Sequence, residues 1–292
     1  MKILAPAKVN LHLAIGNLRP NGYHDLETVF QTVGLYDELV FSRSRDINLK
    51  VFGPQISPDF PCGPENIVWR SADEFFRAFR ILPGVNITLK KNIPVQAGLG
   101  GGSSDAASAL KGCARLFLKK LGHKEEKILH SIALRLGADV PFFLKGGCAL
   151  ARGVGEKLSP LPSADFWAVI VKPKIGLPTR EVYGWFDQLS SAGPLIPAPK
   201  IHKILKSIRL RKPSKSWADL IYNSFQDIVI RRVPEIGDIC SALIRTGCFS
   251  ALLSGSGSAV FGIVKDKAQG EKVKRALGRL GLKSWVVRSI SG

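Results

Sequence analysis

The segment Pro94-Val-Gln-Ala-Gly98-Leu-Gly-Gly-Gly-Ser-Ser-Asp-Ala106 places four glycines and two serine hydroxyls immediately ahead of a helical pattern. Gly98, Gly100, Gly101 and Gly102 let the backbone take positive φ angles and approach a ligand closely, so successive N–H groups can converge on phosphate oxygens. Ala107, Leu110, Cys113 (or Ala114) and Phe117 then recur at helical spacing. The unpaired amides and positive dipole end of that helix face the same anion, and the expected ligand is a nucleoside triphosphate. A flexible surface linker is the competing reading, but linkers of this kind rarely run straight into an amphipathic helix.

Better-known glycine loops do not fit. No Gly-Lys-Ser/Thr follows the glycines, and Gly98-Leu-Gly-Gly-Gly-Ser103 ends in serine where a dinucleotide fingerprint needs its third glycine. No protein-kinase catalytic loop or DFG lies downstream. What phosphoryl transfer requires besides the cradle is charge neutralisation around the γ-phosphate, an in-line hydroxyl and a proton acceptor. Asp139, in Gly137-Ala-Asp-Val-Pro-Phe-Phe143, is the candidate base, with a turn-forming aspartate as the alternative. Lys8, in Ala5-Pro-Ala-Lys-Val-Asn-Leu11, is the candidate ammonium that holds the carboxylate charged, with an exposed strand lysine as the alternative.

The elements that must position these groups can be read from periodicity and punctuation. Lys2 to Ile15, Glu38 to Val51 and Val85 to Leu89 read as strands, and Ile67 to Phe79 as a helix with Asn66 available at its start. A further helix is expected over Lys124 to Leu136, after which Pro141 disfavours helix just upstream and leaves Asp139 in a turn. The prolines of Pro160 to Ala164 mark a boundary, giving domains 1–160 and 161–292. Beyond it, Phe166 to Val171 reads as a strand, and Thr179 to Leu189, Ile201 to Ile208, Trp217 to Val229 and Pro234 to Thr246 as helices. The chain then runs strand, loop Ser254 to Gly257, strand Ala259 to Val264, helix Lys267 to Leu280 and strand Ser284 to Arg288. Strands followed by helices in the first half, in a chain long enough for two cores, fit an α+β protein of two domains.

Composition narrows the class. The chain has 292 residues, 45% hydrophobic, with no apolar run long enough to cross a bilayer. The strand-like pattern that starts at Met1 leaves no room for a leader peptide, so a cytoplasmic protein is expected. Five cysteines, with no CxxC spacing, indicate neither a disulfide framework nor a zinc site. The net charge of +19 favours polyanionic ligands without naming one. Its densest stretch, Lys200 to Lys215, sets Ile201, Ile204, Leu205 and Ile208 on one side and lysines on the other, and lacks aromatics between the bases. That is the pattern of a solvated helix face rather than a nucleic-acid contact.

Three motifs, Ala5-Pro-Ala-Lys-Val-Asn-Leu11, the Pro94 to Asp105 loop and Leu252-Leu-Ser-Gly-Ser-Gly-Ser-Ala259, occur in an order that resembles the small-molecule kinase superfamily of galactokinase, homoserine kinase, mevalonate kinase and phosphomevalonate kinase. The segment Asn17-Leu-Arg-Pro-Asn-Gly-Tyr23-His24-Asp-Leu26, together with Leu136-Gly-Ala-Asp-Val-Pro-Phe-Phe143, is similar to the branch that phosphorylates the 2-hydroxyl of 4-diphosphocytidyl-2-C-methyl-D-erythritol. The resemblance implies an N-terminal domain like ribosomal protein S5 domain 2, a ferredoxin-like C-terminal domain, and an active site in the cleft between them. It assigns Lys8 and Asp139 to catalysis and Pro94, Val95, Gln96, Ala97, Gly98, Leu99, Gly100, Gly101, Gly102, Ser103 and Ser104 to the ATP phosphates. Asn66, Ile67 and Lys91 lie by the ATP base, and Mg²⁺ takes Ser103 or Ser104 as its nearest hydroxyl. For the substrate it implies Asn10 at the sugar alcohol, Tyr23, Tyr183 and Phe30 around the pyrimidine, His24 on the base edge, and Thr179, Gly255 and Gly257 nearby. The expected partners are this cytidine diphosphate alcohol and ATP, with neither nucleic acid nor membrane, in a monomer or weak homodimer. The alternatives are a sibling kinase acting on mevalonate or homoserine, and a basic RNA-binding protein without enzymatic activity.

Overall fold

The computed structural model describes residues 1–20, 22–56, 60–191, 199 and 201–292, with the side chains of 190 and 191 excepted. Asn21 and Lys200 therefore lie outside the described residues. Contacts divide the chain into two compact units that interleave along the sequence: Met1–Ala7, Leu35–Val95 and Gly100–Gly146 form one, and Lys8–Gly34, Gln96–Leu99 and Gly147–Gly292 form the other.

In the first unit the second half of strand β2 (His24–Arg43) pairs antiparallel with β4 (Val85–Lys90), and β3 (Ile47–Phe52) joins β4 in parallel. The continuous strand expected over Glu38 to Val51 is thus two strands, because the chain turns at 44–46, where the Ser44 amide donates to the Gly84 carbonyl. Helix α1 (Ile67–Phe79) starts as expected at Asn66, whose side chain accepts from the Val68 amide. Val68, Ala72, Phe75 and Phe76 form its buried stripe. Helix α2 (Gly101–Phe117) buries a run of small residues, Ala106, Ala107 and Ala109, that lets α1 and α4 (Val140–Lys145) pack close. Pro141 occupies the first turn of α4, where a missing N–H costs nothing, so the proline begins a short helix and Asp139 lies in the turn before it. Helix α3 (His123–Leu136) completes this layer.

One buried electrostatic knot ties the end of β4 to β2 and α2. The Lys91 ammonium donates to the Asp37 carboxylate and, at 2.6 Å, to Asp105, all three groups being buried. The second oxygen of Asp37 accepts from the Ile93 amide at 2.8 Å and also from that of Asn92. Burial pushes the Asp105 carboxyl up to about 8, because Lys91 offsets desolvation only in part and Asp37 adds repulsion. Burial alone lowers the affinity of Lys91 for its proton, but the two carboxylates reverse this and raise it.

The second unit holds a four-stranded antiparallel sheet in the order β11-β7-β10-β9, where β7 is Trp167–Val171, β9 Ser250–Leu253, β10 Val260–Val264 and β11 Ser284–Arg288. Helices α8 (Pro234–Arg245) and α9 (Lys267–Arg279) pack on it, and α5 (Thr179–Ser191) and α7 (Gln226–Arg232) extend the same apolar core. Strand β5 (Cys148–Gly153) pairs with Leu26–Gln31 of β2 and with β6 (Lys157–Leu161). The helix expected over Trp217 to Val229 forms only from Gln226, as the start of α7. Two 3₁₀ turns and a two-residue strand, β8 (Tyr222–Asn223), stand ahead of it, and β8 pairs in parallel with His12 and Leu13 of β1 (Lys2–Leu18). Helix α6 (His202–Arg209) buries Ile204, Leu205 and Ile208 and exposes Lys203 and Lys206, the solvated face read from the sequence. Cys113, Cys148 and Cys248 are buried, Cys240 is half-buried and Cys62 is exposed.

The knot yields a prediction that separates its two acids. Asp37→Ala removes the partner of Lys91 and of two amides and should cost about 3 kcal/mol in urea unfolding. Asp105 binds a proton more tightly folded than unfolded, so its contribution is lost as pH rises from the ordinary carboxylate range through about 8. Asp105→Asn should therefore be near neutral at acidic pH and gain on the wild type as pH rises. Equal costs for both substitutions at every pH would contradict this account.

Candidate active site

In the second unit, successive carbonyls of the glycine loop are tied down. The Ala97 carbonyl accepts from the Ala259 amide at 3.2 Å, that of Gly98 from Ser254 Oγ at 3.1 Å, and that of Leu99 from the Lys8 amide at 2.9 Å. Because a trans peptide sets C=O and N–H antiparallel, the amides of Gly98, Leu99 and Gly100 point away from these partners. The carbonyl of Gln96, a non-glycine residue at φ +50°, accepts from the Ser258 amide at 3.3 Å. Gly98 lies at φ +69°, and a Cβ there would strike the Ser254 carbonyl oxygen and stand 2.9 Å from the Gly257 nitrogen. Only glycine meets both conditions. Pro94 and Val95 lead into the loop from the first unit.

The loop 254–257 is fixed from beneath by Asn223, whose Nδ2 donates to the carbonyls of Leu253 and Gly255 at 2.8 Å each. Thr179, at the start of α5, shares a hydroxyl hydrogen bond of 3.0 Å with Ser256. A Cβ on Gly255 would stand 3.4 Å from Lys8 Nζ, so the lysine head lies against this loop.

Lys8 is 4% exposed, and its Nζ donates to Asn10 Oδ1 at 2.7 Å and stands 5.1 Å from the centre of the Phe30 ring. Asn10 Nδ2 in turn donates to Thr28 Oγ1 at 2.8 Å, and that hydroxyl donates to the His12 carbonyl at 2.6 Å. Lys8, Asn10 and His12 alternate along β1 and so share one face. His12 is buried beside Tyr222, ring centres 5.6 Å apart, with neither ring nitrogen hydrogen-bonded among the described residues. Burial pulls it down to about 4, against the weaker opposing charge of Glu27, so near neutral pH it is uncharged beside a charged lysine system.

A second cluster gathers residues read for the pyrimidine. His24 opens β2, and its ring is 5.6 Å from that of Tyr183. Its Nδ1 is 3.0 Å from the Gly16 carbonyl and its Nε2 2.8 Å from Asp187 Oδ1. Tyr23 is 63% exposed. Phe30 stands at Lys8.

In the first unit, α2 begins at Gly101 with Gly100 left-handed at φ +68°. Its first amides have no acceptor inside the helix. A Cβ on Gly102 would meet nothing within 4 Å, while one on Gly101 would stand 3.3 Å from Lys91 Nζ. The Ser103 hydroxyl is on a half-buried residue, whereas the Ser104 hydroxyl is buried without a hydrogen-bond partner among the described residues. Lys91 spends two of its three donors on Asp37 and Asp105. Asn66 spends its amide on Val68 and on the Pro61 carbonyl, with Ile67 half-buried beside it. Asp139, half-buried, makes no side-chain bond to the amides of α4.

Thr28, Asn223 and Asp187 were not read from the sequence, and Ser254 and Ser256 only as part of the 252–259 motif. Asn223 was hidden by the helix expected across it, although an asparagine two residues before a helix start is a capping signal, and its Oδ1 does accept from the Phe225 amide at 2.9 Å.

A family model described as GHMP kinases N terminal domain matches residues 66–147, and one described as GHMP kinases C terminal matches residues 205–282. Fold and site thus define a small-molecule kinase of the GHMP class. A homoserine kinase from Cytophaga hutchinsonii shares the fold, with TM-score 0.75 at 18% identity over 100% of this chain and 94% of that one. The 4-diphosphocytidyl-2-C-methyl-D-erythritol kinase of Desulfitobacterium hafniense (strain Y51) is 41% identical over 292 residues, 99% of this chain and 96% of the relative. A crystal structure of 4-(cytidine 5'-diphospho)-2C-methyl-D-erythritol kinase matches with TM-score 0.80 and 34% identity over 100% of both chains. The chain belongs to the 4-diphosphocytidyl-2-C-methyl-D-erythritol kinase family.

The two glycines differ in a way that can be measured. Gly98→Ala should lower stability by about 2 kcal/mol or more, through both the forbidden φ and the collision with Ser254. Gly102→Ala adds its methyl in open space and should unfold within about 0.5 kcal/mol of the wild type. A tolerant Gly98 would show that the loop is not held as described.

Proposed function

We propose that this protein transfers the γ-phosphoryl group of ATP to the 2-hydroxyl of 4-diphosphocytidyl-2-C-methyl-D-erythritol, releasing ADP, in the methylerythritol phosphate route to isoprenoid precursors. The observation that carries the reading is the tied glycine loop with the Lys8 system against it, in a chain of this family. The substrate hydroxyl attacks the γ-phosphorus, the bond to the bridging oxygen of ADP breaks, and Asp139 takes the proton. Lys8, ordered by Asn10 and Thr28, keeps the carboxylate charged and stabilises charge on the reacting oxygens. The amides of Gly98 to Gly100 and the start of α2 receive the phosphates.

Asn10 faces the sugar alcohol, Tyr23 and Tyr183 flank the cytosine, and Thr179, Gly255 and Gly257 border the substrate. Phe30 supports Lys8 from below as well as closing the wall. Lys91 acts by its charge beside Gly101, and Asn66 and Ile67 shape the region of the ATP base. Mg²⁺ fits Ser103, the half-buried hydroxyl at the start of α2. The described residues contain no cluster of three His, Cys, Asp or Glu side chains, so phosphate oxygens and water would supply its other ligands. When bound it neutralises charge on the β- and γ-phosphates.

The order β11-β7-β10-β9 supports the ferredoxin-like description of the second domain. The ribosomal protein S5 domain 2 likeness, the boundary 160/161 and a cleft site rest on the resemblance. No described helix is long and apolar enough to cross a membrane, and we place the enzyme in the cytoplasm as a monomer or weak homodimer.

Purified protein should release ADP with the diphosphocytidyl alcohol and not with mevalonate or homoserine. Asp139→Ala should lower kcat by roughly 10²- to 10⁴-fold with little change in KM. Turnover of a sibling substrate alone, or a folded Asp139→Ala variant of near-normal kcat, would overturn the assignment or the mechanism respectively.

A further inference from the structure

We propose that the groove between α5 and α7 is a binding site, separate from the phosphate loop, for a small phosphate monoester with a hydrocarbon body. Trp185, Gln188 and Leu189 of α5 and Ile228, Arg231 and Arg232 of α7 line a cavity of about 230 Å³ there. Each trio has the spacing i, i+3, i+4, so each lies on one side of its helix. All six residues belong to the second unit. Trp185 follows Tyr183 by two residues, about 200° round the helix, which sets the groove on the side of α5 away from the residues read for the substrate.

The apolar part of the groove is a second stripe on α5. Val182 and Phe186 are the buried stripe that faces the core, while Trp185 and Leu189 stay half-buried at its edge and Ile228 is buried. An indole and a leucine left partly in water beside a cavity gain by covering hydrocarbon.

The polar part carries two cations and no acid. Elsewhere in this unit Arg19 is paired with Asp25, Arg152 with Glu27 and Arg288 with Asp165. Arg231 and Arg232 are exposed, and neither has a carboxylate partner among the described residues. Arg232 donates to Gln188 Oε1 at 3.2 Å and stands 6.0 Å from the centre of the Trp185 ring, contacts that orient the guanidinium and leave most of its five N–H groups to a ligand. A guanidinium stays charged and offers two parallel donors to a carboxylate or phosphate. One such fork satisfies a carboxylate, whereas two forks in one groove match the larger oxygen set of a phosphate. The cavity is smaller than a drug-sized site, so the ligand is compact, with a few carbons against Trp185 and Leu189.

The test uses the intact protein saturated with a non-hydrolysable ATP analogue, so that the phosphate loop is occupied. Butyl phosphate, ethyl phosphate, butanoate, butanol and inorganic phosphate are titrated while the indole N–H signals of the five tryptophans are followed by NMR, the signal missing from Trp185→Phe being the reporter. Butyl phosphate should shift that signal saturably and bind roughly tenfold tighter than ethyl phosphate. Butanoate should bind more weakly than butyl phosphate, and butanol and inorganic phosphate should not saturate. Arg231→Gln and Arg232→Gln should each weaken butyl phosphate roughly tenfold and leave ADP release without the probe unchanged. No saturable shift, or an unchanged affinity in the double variant, would overturn the proposal and leave the arginines as partners of the α7 dipole alone. Butanol binding as tightly as butyl phosphate would overturn the anion site, and butanoate binding as tightly would overturn the phosphate class. Retention on vesicles of anionic phospholipid that is lost in the double variant, without saturable binding of butyl phosphate, would replace the soluble ester with a lipid surface and overturn the proposal as well.

Discussion

The rest of the second unit depends on one constraint: the carbonyls of Ala97, Gly98 and Leu99 are hydrogen-bonded inside the protein. A peptide group whose oxygen is bound cannot turn, so the N–H groups on the other edge are held in place without a ligand. Each partner then becomes obligatory. Ser254 must approach closely enough to bond Gly98, which forbids a side chain there, and Asn223 must hold the 254–257 loop at that distance. The Lys8 amide bonds Leu99 while its ammonium is directed along β1 to Asn10. Preorganisation of this kind suits phosphoryl transfer, where little covalent chemistry is asked of the protein and most of the effect is position and charge.

Two lysines, Lys8 and Lys91, are almost fully buried. Lys91 is held by the carboxyl groups of Asp37 and Asp105 and stays a fixed structural charge. The Lys8 ammonium donates to the Asn10 carboxamide oxygen, which orders it on the face of β1. His12, next along the same face, is discharged by burial and adds no competing positive charge.

What was legible in the sequence were the features whose cause is local. The glycines of the loop, the Asn66 cap, the stripe of α1 and the apolar side of α6 follow from φ preference, capping and period. The strand over Leu26 to Gln31 was not, because its pairing with β5 lies more than a hundred residues away. Residues 217–229 carry a helical spacing, yet parallel pairing of Tyr222 with His12 takes precedence over it. Thr28, Asn223 and Asp187 act through partners distant in sequence, so no spacing announces them; the motif draws attention to His24 but not to the carboxylate beside its Nε2.

The central claim is that the loop amides are aimed at phosphate before any nucleotide arrives. Amide hydrogen exchange of peptides covering residues 96–104, with and without a non-hydrolysable ATP analogue, tests it most directly. The account predicts strong added protection confined to this segment and its contacts, since preset amides gain acceptors without rearrangement. Unchanged exchange there, with protection elsewhere at saturating nucleotide, would contradict it.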